Sequence, residues 1–118
     1  MEYMLLLFSD PTGFAALTPA QTSEALAAYG AYGEALRKAG VLRHSSRLRP
    51  ASTATTVRLQ SGKTEVLNGP FADTREQLGG YYLIDVSDLD AALSWAARCP
   101  GASHGAVEVR PLWPATDY

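Results

Sequence analysis

Apolar side chains crowd the start of the chain. Tyr3-Met4-Leu5-Leu6-Leu7-Phe8 offers apolar groups to both faces of an extended segment, which predicts a central strand over residues 2–8. Asp10-Pro11-Thr12-Gly13 then reads as a loop. Thr18-Pro19-Ala20-Gln21 opens a helix: Thr18 caps it, Pro19 suits the first turn, and Gln21 reaches back to close a capping box. The helix runs to Ala39 and stops at Gly40. Thr22, Ala25, Leu26, Tyr29, Tyr32, Gly33 and Leu36 share one face of it, while Glu24, Glu34 and Lys38 point away. Gly30 and Gly33 each cost about 1 kcal/mol in a helix interior, which close approach of Gly33 to a sheet would offset.

Val41–Leu48 reads as a second strand. Thr55–Gln60 and Lys63–Leu67 flank Ser61-Gly62 as a hairpin, and Gly80–Val86 forms a further strand. Ser87-Asp88-Leu89-Asp90 caps a second helix with Leu89, Ala92, Leu93, Ala96 and Cys99 on one face, ended by Pro100-Gly101. Ala106–Leu112 is the last strand, and residues 114–118 form a loose tail. The order is β-α-β, an inserted hairpin and loop, then β-α-β. Two such units in one antiparallel sheet, with both helices on one face, make an α+β split β-α-β, or ferredoxin-like, plan. The bare sheet face then calls for a cover, and a second copy packed sheet against sheet is the simplest one.

A chain of 118 residues holds one domain, placed at 1–113. Twelve acidic and ten basic residues give a net charge of −2 with no basic block, which argues against nucleic-acid binding. The opening apolar run follows Glu2 rather than a basic region and stops at Ser9-Asp10, so it does not read as a signal peptide. No segment reaches the ~18–20 apolar residues of a membrane span. The cytoplasm is the expected location, in keeping with the lone Cys99, which excludes an internal disulfide.

The richest stretch is Asn68-Gly69-Pro70-Phe71-Ala72-Asp73-Thr74-Arg75-Glu76-Gln77-Leu78-Gly79-Gly80-Tyr81. Asn-Gly-Pro sets a turn in which Gly69 takes a positive φ. The stretch resembles the signature of YCII-related proteins of the DGPF type, roughly Asp-Gly-Pro-Phe-Ala-Glu-Thr-Lys-Glu-x-Leu-Gly-Gly-Tyr. Thr55-Thr56-Val57-Arg58, Trp95-Ala96-Ala97-Arg98-Cys99-Pro100 and Val107-Glu108-Val109-Arg110-Pro111 extend the likeness over nearly the whole chain. Asn68 departs from it where the signature has Asp. Asp73 and Arg75 replace Glu and Lys, keeping charge but changing reach.

The resemblance implies a homodimeric α/β barrel with a modest apolar cavity in each subunit. Some smaller relatives place a His-Asp pair in that cavity, with the His on the first helix. Here that helix has no His, and Tyr29 is the nearest replacement. One type of relative dehydrohalogenates or isomerises ring-derived acids. That suggests a cofactor-independent lyase or isomerase moving a proton on a small anionic or aromatic molecule. The other implied role is a non-catalytic ligand-binding or regulatory partner of an extracytoplasmic-function sigma factor, acting through protein contacts.

Asp73, Arg75 and Tyr29 are the candidate catalytic residues, with Arg75 holding an anion while an acidic neighbour or a tyrosine hydroxyl moves a proton. Asp73 and Glu76 equally suit the caps of a short helical turn ended by Gly79. Asn68, Phe71, Glu76, Arg58 and Tyr32 are candidate ligand-binding residues. Tyr29 and Tyr32 also make ordinary core residues, and Arg58 and Arg110 ordinary cross-strand partners of Glu65 and Glu108. His44 and His104 stand apart from any metal-ligand spacing, so no metal or cofactor is expected. Cys99, at a helix C-terminus, reads as core.

Overall fold

The computed structural model describes residues 1–118. Strand β1 (Glu2–Ser9) is the second-longest strand and lies inside a four-stranded sheet with β2 (Leu42–Arg47), β5 (Gln77–Asp85) and β6 (Ala106–Pro111). The order β2-β5-β1-β6 is antiparallel throughout, which is the split β-α-β arrangement. Helix α2 (Pro19–Lys38) and helix α3 (Leu89–Arg98) are the two crossovers. Strands β3 (Thr55–Gln60) and β4 (Lys63–Asn68) pair only with each other, as a separate hairpin between β2 and β5. Ser61 and Gly62 both take positive φ at its turn, 52° and 76°. That is the backbone a two-residue hairpin loop needs to match strand twist.

Side-chain alternation sorts the sheet into two faces. Tyr3, Leu5 and Leu7 of β1 lie opposite Ile84, Tyr82 and Gly80 on one side and Pro111, Val109 and Val107 on the other. This face meets the helices. Leu5, Ile84 and Leu36 of α2 are fully enclosed, joined by Tyr32, Val86, Ala92, Ala96 and Cys99. The opposite face carries Met4, Leu6, Phe8, Leu83 and Tyr81, with both long helices on the other side. Twelve residues in all are buried, a small core for this length.

Several local features depart from the expectations. Asp10-Pro11-Thr12-Gly13 is not a loop but the start of helix α1 (Pro11–Ala15), because Asp10 accepts the Thr12 N–H at 2.9 Å and acts as its N-cap. Residues 73–76 form no helical turn. The Thr74 hydroxyl bonds the Glu76 carbonyl instead, and Gly79 belongs to β5. After α3, Pro100 begins a second short helix, α4 (Gly101–His104), so His104 ends a helix rather than sitting in a loop. Ala115–Asp117 of the expected loose tail winds into one 3₁₀ turn. Leu89 and Leu93 stay about half exposed, since α3 approaches the sheet through Ala92 and Ala96.

The capping box at Thr18 and Gln21 is present, with bonds of 3.2 and 2.9 Å. Close approach does not explain the helix glycines. A Cβ on Gly30 would meet nothing within 4 Å, and one on Gly33 only the Arg37 guanidinium at 3.7 Å. Close approach is required elsewhere, at Gly105, where a Cβ would run into the Phe8 carbonyl, and at Gly80, where one would fall 2.8 Å from the Ser46 carbonyl oxygen.

Candidate functional site

Helix α2 covers the sheet only over its C-terminal half. Toward its N-terminus the helix lifts away, leaving Leu26 49% exposed although it lies on the inward face. The space beneath is a cleft of about 650 Å³. Leu7, Gly80, Tyr82, Ser45 and Arg47 form its floor, Tyr29 and Leu26 one wall, and Phe14 of α1 with Leu48 and Leu78 the mouth. Strand alternation explains the floor: Ser45 and Arg47 stand opposite Tyr82 and Gly80 on the helix side of the sheet. His44 and Ser46 point to the other face, where the His44 Nδ1 and the Tyr81 hydroxyl lie 2.7 Å apart. Adjacent in sequence, Ser45 and His44 are thus on opposite sides of the sheet.

Tyr29 and Tyr82 line the cleft, and neither hydroxyl has a hydrogen-bond partner from the chain. Gly101 makes room for the first, since a Cβ there would sit 2.9 Å from the Tyr29 hydroxyl. Burial, then the neighbouring Cys99 thiol, pushes the Tyr29 hydroxyl above its usual value of 10, with Arg47 pulling the other way. Burial takes Tyr82 further, up to about 12. Both therefore stay protonated near neutral pH and act as donors. Arg47 lies over the Phe14 ring at 5.4 Å and has no carboxylate partner within the chain. Arg49 adds a second positive charge to the lining, which contains no carboxylate and no imidazole.

Tyr32, three residues along the same helix face, has a different task. Its hydroxyl donates to the Trp95 carbonyl at 2.7 Å, and its ring meets Tyr82 and Trp95 edge-on. The Cys99 N–H turns back to Ala96, so the Trp95 carbonyl lacks that usual intrahelical partner and Tyr32 supplies the replacement.

The signature segment lies at the rim rather than in the cleft. Gln77, Leu78, Gly79 and Gly80 contribute to the lining, but Asn68, Phe71, Asp73, Arg75 and Glu76 do not. The Arg75 Nε donates to Asp10 at 2.9 Å, tying the 69–76 loop to the start of α1 beside the mouth. The Thr12 hydroxyl and the Arg75 guanidinium hold the Asp10 carboxyl down at about 2. Asp73 has no hydrogen-bond or ion-pair partner, and Glu76 is exposed. Asn68 faces Thr55 at the base of the hairpin, where Gly69 takes its positive φ of 106°. Arg58 stands opposite Glu65 in the ladder, but its guanidinium lies over Phe71 at 5.1 Å. Arg110 does pair with Glu108, at 2.8 Å.

Of the residues singled out in the sequence, the cleft therefore takes Tyr29 alone. Sequence reasoning missed Tyr82, Arg47 and Ser45. The alternation of β2 and β5 carried a signal for them, because it puts polar Ser45 and Arg47 on the face that Ile84 and Tyr82 mark as inward. No group of three or more His, Cys, Asp or Glu side chains is arranged to hold a metal ion. No helix is long and apolar enough to cross a membrane.

The model of the YCII-related domain matches residues 1–116. The chain belongs to the YCII-related family. This YCII-related chain is 39% identical over 114 residues to an uncharacterised protein of Rhizobium meliloti (strain 1021), covering 95% of this chain and 92% of that one. Its fold is similar to that of 5-chloro-2-hydroxyhydroquinone dehydrochlorinase from Burkholderia phenoliruptrix AC1100, solved in complex with 2,5-dihydroxybenzoquinone. The TM-score is 0.57 at 14% identity, over 98% of this chain and 97% of that one. At that identity the likeness establishes the shared α+β fold. None of these matches supports the sigma-factor partnership.

Proposed function

We propose that this YCII-related protein is a cofactor-independent enzyme that moves a proton on a small aromatic anion bound in the cleft between α2 and the sheet. The observation that carries the reading is the lining: apolar walls, two unpartnered tyrosine hydroxyls, and two arginines without carboxylate partners. Apolar walls with a few convergent polar groups are the usual make-up of a small-molecule site. The absence of any carboxylate or imidazole from the lining narrows the chemistry. An ionised oxygen on the substrate itself would supply the electron pair, with Arg47 balancing its charge. A ring carbon would take the proton from Tyr29 or Tyr82, and the resulting tyrosinate would recover one from water. A lyase or isomerase step on a hydroxylated ring fits this pattern, and the fold neighbour acts on such a ring.

Arg75, held by Asp10 at the mouth, would attract the anion. Asp73 would enter only if the 69–76 loop folded over the mouth. The reading includes two copies of the chain, packed through the bare sheet face into an α/β barrel, in the cytoplasm, where a single buried free thiol is at home.

The test is titration with 2,5-dihydroxybenzoquinone, followed by its absorbance, together with a screen of halogenated hydroxyhydroquinones for chloride release or ring tautomerisation. Saturable binding that Arg47→Ala removes, with turnover that Tyr29→Phe or Tyr82→Phe lowers, supports the proposal. No binding and no turnover across the series overturns it. Asp73→Ala and Arg75→Ala, measured alongside, decide whether the signature loop takes part.

A further inference from the structure

The β3–β4 hairpin is the least accounted-for part of the molecule. Its register gives it two unlike faces. Val57, Leu59 and Val66 share one with Thr55, Thr64 and Asn68, whereas the other is largely polar, with Thr56, Arg58, Gln60, Lys63 and Glu65 beside a single apolar residue, Leu67. The apolar trio is exposed by 64%, 71% and 62%, and nothing in the chain packs on it. An isolated two-stranded hairpin is marginal in water without a third strand or an apolar support. An exposed apolar strand face is also a liability that chains rarely leave uncovered.

The hairpin is closed at its base by two hydrogen bonds between its stalks. The Gly69 N–H bonds the Ala54 carbonyl at 2.7 Å, and the Thr56 hydroxyl bonds the Gly69 carbonyl at 2.7 Å, so the two stalks are clamped together. Pro50 and Pro70 restrict φ on either side of the clamp. The chain as a whole is a slab 48 × 46 × 17 Å, with the hairpin in a sheet of its own. Its accessible surface is 8222 Å², against about 6,200 Å² for a compact monomer of this mass. The excess of about 2,000 Å² per chain is what a large, obligate two-chain interface removes.

We propose that the β3–β4 hairpin is an arm that seats its Val57–Leu59–Val66 face on a second copy of this chain. The inference rests on the two-copy reading above and adds an element to it. In that reading the sheets of the two copies meet through the face with Leu6, Phe8 and Leu83, and the arm, in a sheet of its own, would extend that contact over the second copy. The two-fold relation repeats the contact in the other direction. The polar face of the arm, with Arg58, Lys63 and Glu65, remains toward water.

The experiment is analytical ultracentrifugation of the full chain and of the double variant Val57→Asp/Val66→Asp, with Gln60→Ala on the polar face as control. The expected result is a wild-type and control dimer, with the dissociation constant of the double variant raised at least about 100-fold. A second measurement avoids dependence on that variant's folding. Leu59→Cys carries an environment-sensitive fluorophore, the native Cys99 being buried. Its emission should shift to the red on dilution through the dissociation constant. A monomeric wild type at micromolar concentration overturns both the two-copy reading and the arm. A dimer that the double variant leaves intact, or fluorophore emission independent of dilution, overturns the arm alone. A dimer lost only when a different protein is removed from the preparation would assign the face to that protein and also overturn it.

Discussion

Tyr29 and Tyr32 lie one helical turn apart on the same face of α2, and the structure gives them opposite roles that two conservative substitutions separate. Tyr32→Phe removes a hydroxyl that donates at 2.7 Å to the Trp95 carbonyl, an acceptor left without that usual intrahelical partner at the end of α3. Losing one hydrogen bond and leaving a partly buried carbonyl unsatisfied costs about 1.5 kcal/mol. For a chain of this length that lowers the melting temperature by about 6 °C at fixed protein concentration. The ring contacts with Tyr82 and Trp95 survive in the phenylalanine, so the cleft keeps its shape. Tyr29→Phe removes a hydroxyl with no protein partner, so it should leave the melting temperature within about 1 °C. It should instead weaken binding of 2,5-dihydroxybenzoquinone by about tenfold, the worth of one hydrogen bond to an anion. Thermal denaturation by circular dichroism and an absorbance titration measure the two effects. The assignment is refuted if Tyr32→Phe weakens binding while leaving stability unchanged, or if Tyr29→Phe lowers stability and spares binding.

Three further outcomes follow from the same geometry. Gly101→Ala would place a Cβ 2.9 Å from the Tyr29 hydroxyl, so the hydroxyl must shift from its position. Ligand affinity should fall by up to about 100-fold with only a small loss of stability, and unchanged affinity would show that the hydroxyl is not part of the site. Gly30→Ala should raise stability by about 0.5–1 kcal/mol in urea denaturation, because its Cβ meets nothing; a loss would mean that this helix face is covered in the assembled protein. The Asp10 carboxyl titrates at about 2, below its ordinary 3.8, so its contribution is present above pH 3.8 and fades as pH falls through 2. The NMR signal of the Arg75 Nε–H should follow that midpoint, whereas a midpoint near 3.8 would show that the Asp10–Arg75 pair does not hold the loop.

The fold was legible in the chain because its strongest signals are local and redundant. The apolar run of β1, the Thr18–Gln21 capping box, Asp88 ahead of α3 and the Ser61-Gly62 turn each fix one element, and their order fixes the split β-α-β sheet. The misses have local causes too. A five-residue helix such as α1 has too few positions to show a period, and it exists because Asp10 caps it. Gly33 was expected to touch the sheet because it is on the inward face, and it is buried there, yet a Cβ on it would meet only the Arg37 guanidinium of its own helix.

The site was less legible because it is assembled by register. Tyr82 and Arg47 are 35 positions apart, yet β2 pairing with β5 brings Tyr82 opposite Ser45 and Gly80 opposite Arg47 on one face. No motif spans such a pair. The conspicuous 68–77 segment instead organises what surrounds the cleft. Its Arg75 fastens the loop to α1, its Asn-Gly-Pro turn clamps the arm, and Gly80 just beyond it lets β2 pass close by. A signature this dense in turn formers and charges reads like a catalytic loop. Here each of those features can be explained by the geometry of the rim and the arm. The chemistry proposed for the cleft falls to side chains that looked like ordinary strand residues, and of the motif's ionic groups only Arg75 is bound to a group beside the mouth.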